Sequence, residues 1–139
     1  MLQTLAEAIG RESWPELVSA WDEIDPARVL ATLAEPGPIR TSPRDGTKLL
    51  AAVWSTTAAP VAATTEVRHL MAMQSSCNRI ASVFGPRIRV AAKSGSLLGV
   101  VRNQIGVVEY ENHSRYAAAV FTRGWEPYAQ EHEIDAAIG

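Results

Sequence analysis

Val90-Ala91-Ala92-Lys93-Ser94-Gly95-Ser96-Leu97 is the stretch around which the rest of the chain can be ordered. Ile88, Val90 and Ala92 alternate with Arg87, Arg89, Ala91 and Lys93, the two-residue period of a strand with one buried face. Such a strand puts Lys93 on the face opposite the apolar set. Further on, residues 100–110 and 116–122 are rich in Val, Ile, Tyr and Phe, and Glu111-Asn112-His113-Ser114 between them has the composition of a hairpin turn. The expectation is a three-stranded antiparallel meander over residues 87–122. Its two long strands carry apolar residues on both faces, which calls for helices on each side of the sheet.

Upstream of Gly85-Pro86 the spacing is helical over residues 1–84. Leu2, Leu5, Ala6 and Ile9 share a face and stop at Gly10, a C-terminal cap; Leu17, Val18 and Trp21 form a second apolar stripe. Asp25-Pro26 opens a short helix with Val29, Leu30 and Leu33 on one side, and Glu35-Pro36-Gly37-Pro38 ends it. Thr41-Ser42-Pro43-Arg44-Asp45 is a stronger start signal. Ser42 can accept from the first-turn amides, Pro43 presets the first helical dihedral, and Asp45 stands where a capping acid helps. Leu49, Leu50, Val53 and Trp54 supply its buried stripe. A further helix is predicted from about Thr65 through Val67, Leu70 and Met71, and a closing helix over 125–138 with Ile134 and Ile138 on one side. Together these elements predict a single α+β domain, an antiparallel sheet covered by helices.

Composition narrows the function. In 139 residues, 47% hydrophobic and 20% charged, the chain has the make-up of a globular domain. Its formal charge of −2, with 13 Lys and Arg scattered along the sequence, supplies no basic field for a phosphate backbone. Nucleic acid is therefore not an expected partner. No apolar run approaches membrane-spanning length, and the Met1 end lacks the sections of a secretory signal. As written the chain is expected in the cytoplasm, or outside it if a signal lies upstream. The single Cys77 cannot form an internal disulfide and reads as a small apolar helix residue. His69, His113 and His132 lack metal-ligand spacing, so neither a metal nor any other cofactor is expected. No Gly-x-Ser-x-Gly elbow and no glycine-rich phosphate loop occurs. Trp14, Trp21, Trp54 and Trp125 each fit an apolar helical stripe or a helix start, and read as packing residues.

Lys93-Ser94-Gly95 with Arg102 nine positions after the lysine, strands on both sides, and a Thr-Ser-Pro helix start upstream in the right order resemble the C-terminal half of the class A serine β-lactamase and penicillin-binding protein family. The resemblance runs along nearly the whole chain. Leu2 to Gly10 is similar to the helix just after that family's S-D-N element, Thr41-Ser42-Pro43 to its T-T-P helix start, and Arg87 to Thr122 to its last three strands. It implies acyl transfer on β-lactam, amide or ester substrates that carry a carboxylate. Such chemistry needs a nucleophile, a proton acceptor and fixed donors for the oxyanion and the carboxylate.

In the roles the resemblance implies, Lys93 lends positive charge near the nucleophile and the substrate carboxylate, and Ser94 hydrogen-bonds that carboxylate. Gly95 keeps the strand edge clear for the acyl group, and Ser96 offers its backbone amide to the oxyanion. Arg102 reaches the same carboxylate from the next strand, a task suited to a planar fork of donors. Taken singly, Lys93 and Arg102 each read as a solvated charge on a strand; it is their pairing at this spacing that favours a shared anion pocket.

The rest of the family's machinery is missing from these residues. Neither Lys48 nor Lys93 has a serine three positions earlier, where Asp45 and Val90 stand, and no S-D-N occurs. Of the E-x-x-L-N element only Glu35-Pro36 gives an echo, better read as a solvated helix-end carboxylate. The expectation is a catalytically incomplete part of a serine hydrolase, with its Ser-x-x-Lys outside this chain. Its partner is an N-terminal complementary segment or, failing that, a second copy, because two strands and a central helix would otherwise be missing from the core. The alternatives are a non-catalytic carboxylate-binding module of the same descent, or a dimerisation module in which K-S-G is accidental.

Overall fold

Two serines start the helices marked by nearby prolines. In the computed structural model, which describes residues 6–7, 9–25, 27–28, 31–32, 41–74, 78–97, 101–124 and 130–139, the chain divides into units of residues 1–40 and 41–139. In the first unit, Gly10 (φ +83°) ends a helical turn containing Ala6 and Ile9. Arg11 N–H donates to the Ala6 carbonyl and Gly10 N–H to that of Glu7, a Schellman cap that uses glycine's access to positive φ. Helix α1 (Trp14–Ser19) begins at Ser13, whose hydroxyl accepts from Glu16 N–H. Leu17 is fully buried whereas Val18, expected beside it in the apolar stripe, is exposed: neighbours in sequence lie about 100° apart around a helix. The expected positions Leu2, Leu5, Val29, Leu30, Leu33, Glu35, Cys77 and Trp125 lie outside the described residues.

The second unit is built on one antiparallel sheet in the order β1-β2-β3, with β1 Arg89–Leu97, β2 Val101–Glu109 and β3 Arg115–Arg123. Helix α2 (Pro43–Trp54) starts with a full capping box: the Ser42 hydroxyl accepts from Asp45 N–H and the Asp45 carboxylate from Ser42 N–H, each at 3.2 Å. Helix α3 (Val61–Ala72) begins four residues ahead of the expected Thr65, immediately after Pro60. It buries Thr64 and turns Val67 and Leu70 outward. Helix α4 (Glu131–Ile138) closes the described chain.

Pairing puts even-numbered residues of all three strands on one face and odd-numbered residues on the other. The even face is covered by α4 and a 3₁₀ turn at Ile80–Val83, with Ile80, Val108 and Ile138 at the core and Phe84, Ile88, Val90, Val120 and Ile134 against it. The odd face receives α2, whose Gly46 sits so close that a Cβ there would lie 3.2 Å from Ile105 and 3.3 Å from Ala119. Helix α3 packs along β1. The β2–β3 turn closes as expected at Glu111–Ser114: His113 takes φ +63° and the Asn112 side chain accepts from Ser114 N–H. The result is an α+β unit whose sheet carries helices on both faces.

Candidate functional site

Ser94 and Ser96 project from the even face of β1, directly paired with Gln104 and Arg102. Lys93 pairs with Ile105 and leaves from the odd face. The shared anion pocket expected of Lys93 and Arg102 does not arise from one face of the sheet: successive strand positions alternate, and the two side chains start on opposite sides. β1 is an edge strand, and the Lys93 ammonium turns back to donate to the Ser94 carbonyl.

Among the described residues no strand pairs with the edge of β1 away from β2. Ser94 N–H donates to the Gln74 side-chain oxygen, at 3.2 Å, rather than to β2. A strand residue sends its N–H and C=O to the same side, and the next residue sends them to the other. Ser96 N–H, two residues on, thus faces the same edge. At Gly95 a Cβ would meet nothing within 4 Å, so the absent side chain leaves free space on the Lys93 face. The Ser94 hydroxyl accepts from Gln74 Nε2 at 2.6 Å, making Gln74 the residue that covers Ser94.

The cationic part of the site is a cluster that sequence reading reaches only at Arg102. Arg102 donates through Nε and Nη2 to the two oxygens of Asp135 at 2.8 and 2.7 Å. Arg79, absent from the expected set, donates through Nε to Asp135 at 2.7 Å, through Nη1 to the Asn103 carbonyl at 2.9 Å and through Nη2 to the Ser96 hydroxyl at 2.9 Å. Its side chain is 5% exposed and that of Asp135 9%. Asn78 also donates to Asp135. The hydrogen bond from Arg102 is the chief reason that the Asp135 carboxyl is held below the usual aspartate range; burial opposes it, and the bond from Arg79 adds to it.

Two guanidinium groups thus share one carboxylate, in surroundings where burial limits screening by solvent. They lie beside the Ser96 hydroxyl, whose oxygen is held by Arg79. Gln104, beside Ser94 in the ladder, accepts from Ile80 N–H at 2.7 Å, but its buried Nε2 has no hydrogen-bond partner among the described residues. Arg79, Asp135 and Gln74 carry no sequence signal of their own, since Arg79 and Asp135 are 56 positions apart and meet only through the sheet. Among the described residues no group of three or more His, Cys, Asp or Glu is placed to hold a metal ion, and no helix is long and apolar enough to cross a membrane.

With this geometry in place, comparison with known proteins defines the class. A sequence model of the beta-lactamase enzyme family matches residues 5–139, and the chain belongs to that family. Among solved structures it is similar to the class A beta-lactamase from Mycobacterium abscessus, with a TM-score of 0.65 and 14% identity over 98% of this chain and 55% of that one. A beta-lactamase from Sphaerobacter thermophilus matches with a TM-score of 0.60 and 23% identity over 85% of this chain and 51% of that one. PBP-A, in a mutant solved as its acyl-enzyme complex with penicillin G, matches with a TM-score of 0.62 and 21% identity over 89% of this chain and 48% of that one. These similarities carry the fold, and this chain spans about half the length of each of those structures. Compared with curated proteins, the sequence has no significant match.

Proposed function

We propose that this chain forms the anion-binding half of a β-lactamase-like serine hydrolase, with the nucleophile supplied by a segment outside it. The observation that carries the reading is the Arg79–Asp135–Arg102 cluster, joined through Ser96 to the edge of β1 that no described strand pairs. In this role Ser94 and Ser96 hydrogen-bond the substrate carboxylate, with the guanidinium groups of the cluster beside it. The Ser96 amide takes the oxyanion, and Lys93 sets the potential beside the incoming nucleophile. Gly95 leaves room for the acyl group. The substrate class is a strained amide or ester bearing a carboxylate; penicillin G, found as the acyl group on PBP-A, is the natural probe.

The complement would pair with β3. Among the described residues β3 has a neighbour on one side only, and Tyr116 on it is 62% exposed; an unpaired strand edge is a template for another strand. An N-terminal segment carrying Ser-x-x-Lys is the expected occupant, and a second copy is the expected substitute when that segment is absent.

The test is mass spectrometry with penicillin G. The chain alone should gain no covalent mass; mixed with an N-terminal complement bearing Ser-x-x-Lys it should yield a complex acylated on the complement's serine. Acylation that survives Ser→Ala in the complement, or a complement that never associates, would refute the assignment. One feature favours a second, non-hydrolytic reading: Gln74, Arg79, Arg102 and Asp135, all within this chain, already hold Ser94 and Ser96 in place. Under that reading the chain binds benzoate reversibly, loses it in Arg102→Ala, and stays unacylated with any complement.

A further inference from the structure

The odd face of the sheet holds a second cationic site, at the other end of β1 from Ser96. Arg89 and Arg115 share the Glu109 carboxylate, Arg115 at 2.7 Å, in the same two-arginine, one-acid pattern found around Asp135. Glu109 is 14% exposed, and the hydrogen bond from Arg115 is the largest cause holding its carboxyl below the ordinary range. Arg68, from α3, faces the same cavity but donates only to neutral oxygens, the Trp54 carbonyl at 3.3 Å and the Thr65 hydroxyl at 3.1 Å. Three guanidinium groups against one carboxylate leave a formal charge of +2. The cavity between them has a volume of about 340 Å³, and Trp54, Ala91 and Val107 are among its apolar lining. That volume is at the small end of ligand sites. His69 also lines it.

We propose that this groove binds a small amphipathic dianion, a phosphate monoester of an aromatic or aliphatic alcohol. The phosphate would take donors from Arg68 and Arg89, and the apolar body would lie on Trp54 and Val107. Arginine forks suit a phosphate, its two negative charges match the surplus, and the apolar lining gives the remainder of the ligand a surface that water covers poorly. The site is independent of the edge of β1. It uses Arg68, Arg89 and Arg115, none of which touches Asp135, Ser94 or Ser96.

Titration of the full chain with phenyl phosphate, followed by amide NMR, tests it. Saturable shifts should centre on Arg68, Arg89, Ala91, Val107 and Arg115, and affinity should fall at least about tenfold in Arg68→Gln and in Arg89→Gln, each of which removes a charge-assisted donor. Arg89 is 76% exposed, so its variant tests binding even if Arg68→Gln does not fold. Phenol should give no saturable shift and benzoate a weaker one. Shifts confined to Ser94, Ser96 and Arg102, undiminished affinity in Arg89→Gln, or phenol or benzoate shifting Arg68, Arg89 and Arg115 with the affinity of phenyl phosphate would each overturn the proposal.

Discussion

Gln74 is bound twice to Ser94, accepting its backbone N–H and donating to its hydroxyl. Both groups of Ser94 are ones a carboxylate ligand would use, so the Gln74 amide competes with that ligand. Removing it in Gln74→Ala should therefore tighten benzoate binding at the β1 edge. With a net hydrogen-bond contribution of about 1 kcal/mol the gain is roughly fivefold. Isothermal titration reads it directly; an unchanged or weaker affinity would mean that Gln74 shapes the site rather than covers it.

Asp135 binds two arginines whose side chains are nearly buried, so its removal takes a shared charged acceptor from both. Asp135→Ala should cost about 3–5 kcal/mol in urea unfolding. The folded-state pKa of this group is lowered, so its contribution is fully present above the ordinary aspartate value of 3.8 and disappears as pH falls through the lower folded value. Glu109, also lowered, adds a similar loss below 4.5. Stability measured from pH 5 downward should fall in the wild type, and less steeply in Asp135→Asn.

Gly46 allows α2 to lie against β2 and β3. With Ile105 and Ala119 already 3.2 and 3.3 Å from a built Cβ, the helix-propensity gain of alanine, about 1 kcal/mol, is offset by crowding. Gly46→Ala should be close to neutral in thermal unfolding. Gly46→Leu, which must displace the helix, should lose about 1–3 kcal/mol.

Ser42 and Asp45 cap α2 reciprocally. Ser42→Ala should destabilise the chain by about 1 kcal/mol, and Ser42→Asp, which keeps an acceptor, should restore most of that loss. Equal stability of both variants with the wild type would show that the cap contributes nothing measurable.

The strands were legible because a two-residue period survives at residues 88–92, and α2 because Ser42-Pro43 and Asp45 each favour the same helix start. The relation of Lys93 to Arg102 was not, because their nine-residue spacing does not say which sides of the sheet they occupy. The connection after Leu97 decides that. Leu97 pairs with Val101, leaving three residues between them, and an odd number puts odd and even positions on opposite faces; a two-residue turn would have brought the two cations together. Arg79 was illegible for another reason: a buried arginine is recognisable only by its acid, and Asp135 lies in a helix whose apolar spacing explains Ile134 and Ile138 without assigning it any role. The exposed Val67 and Leu70 show a limit of helical spacing, which identifies an apolar stripe but not the element that covers it.

Asp135 stands on a helix of eight residues, some forty positions along the chain from Ser94. The K-S-G strand thus depends for the placing of Arg79 and Arg102 on whether that short helix stays docked. Undocking it would release both guanidinium groups together, so a lesion far from the K-S-G strand would be read in an assay as a failure of ligand recognition.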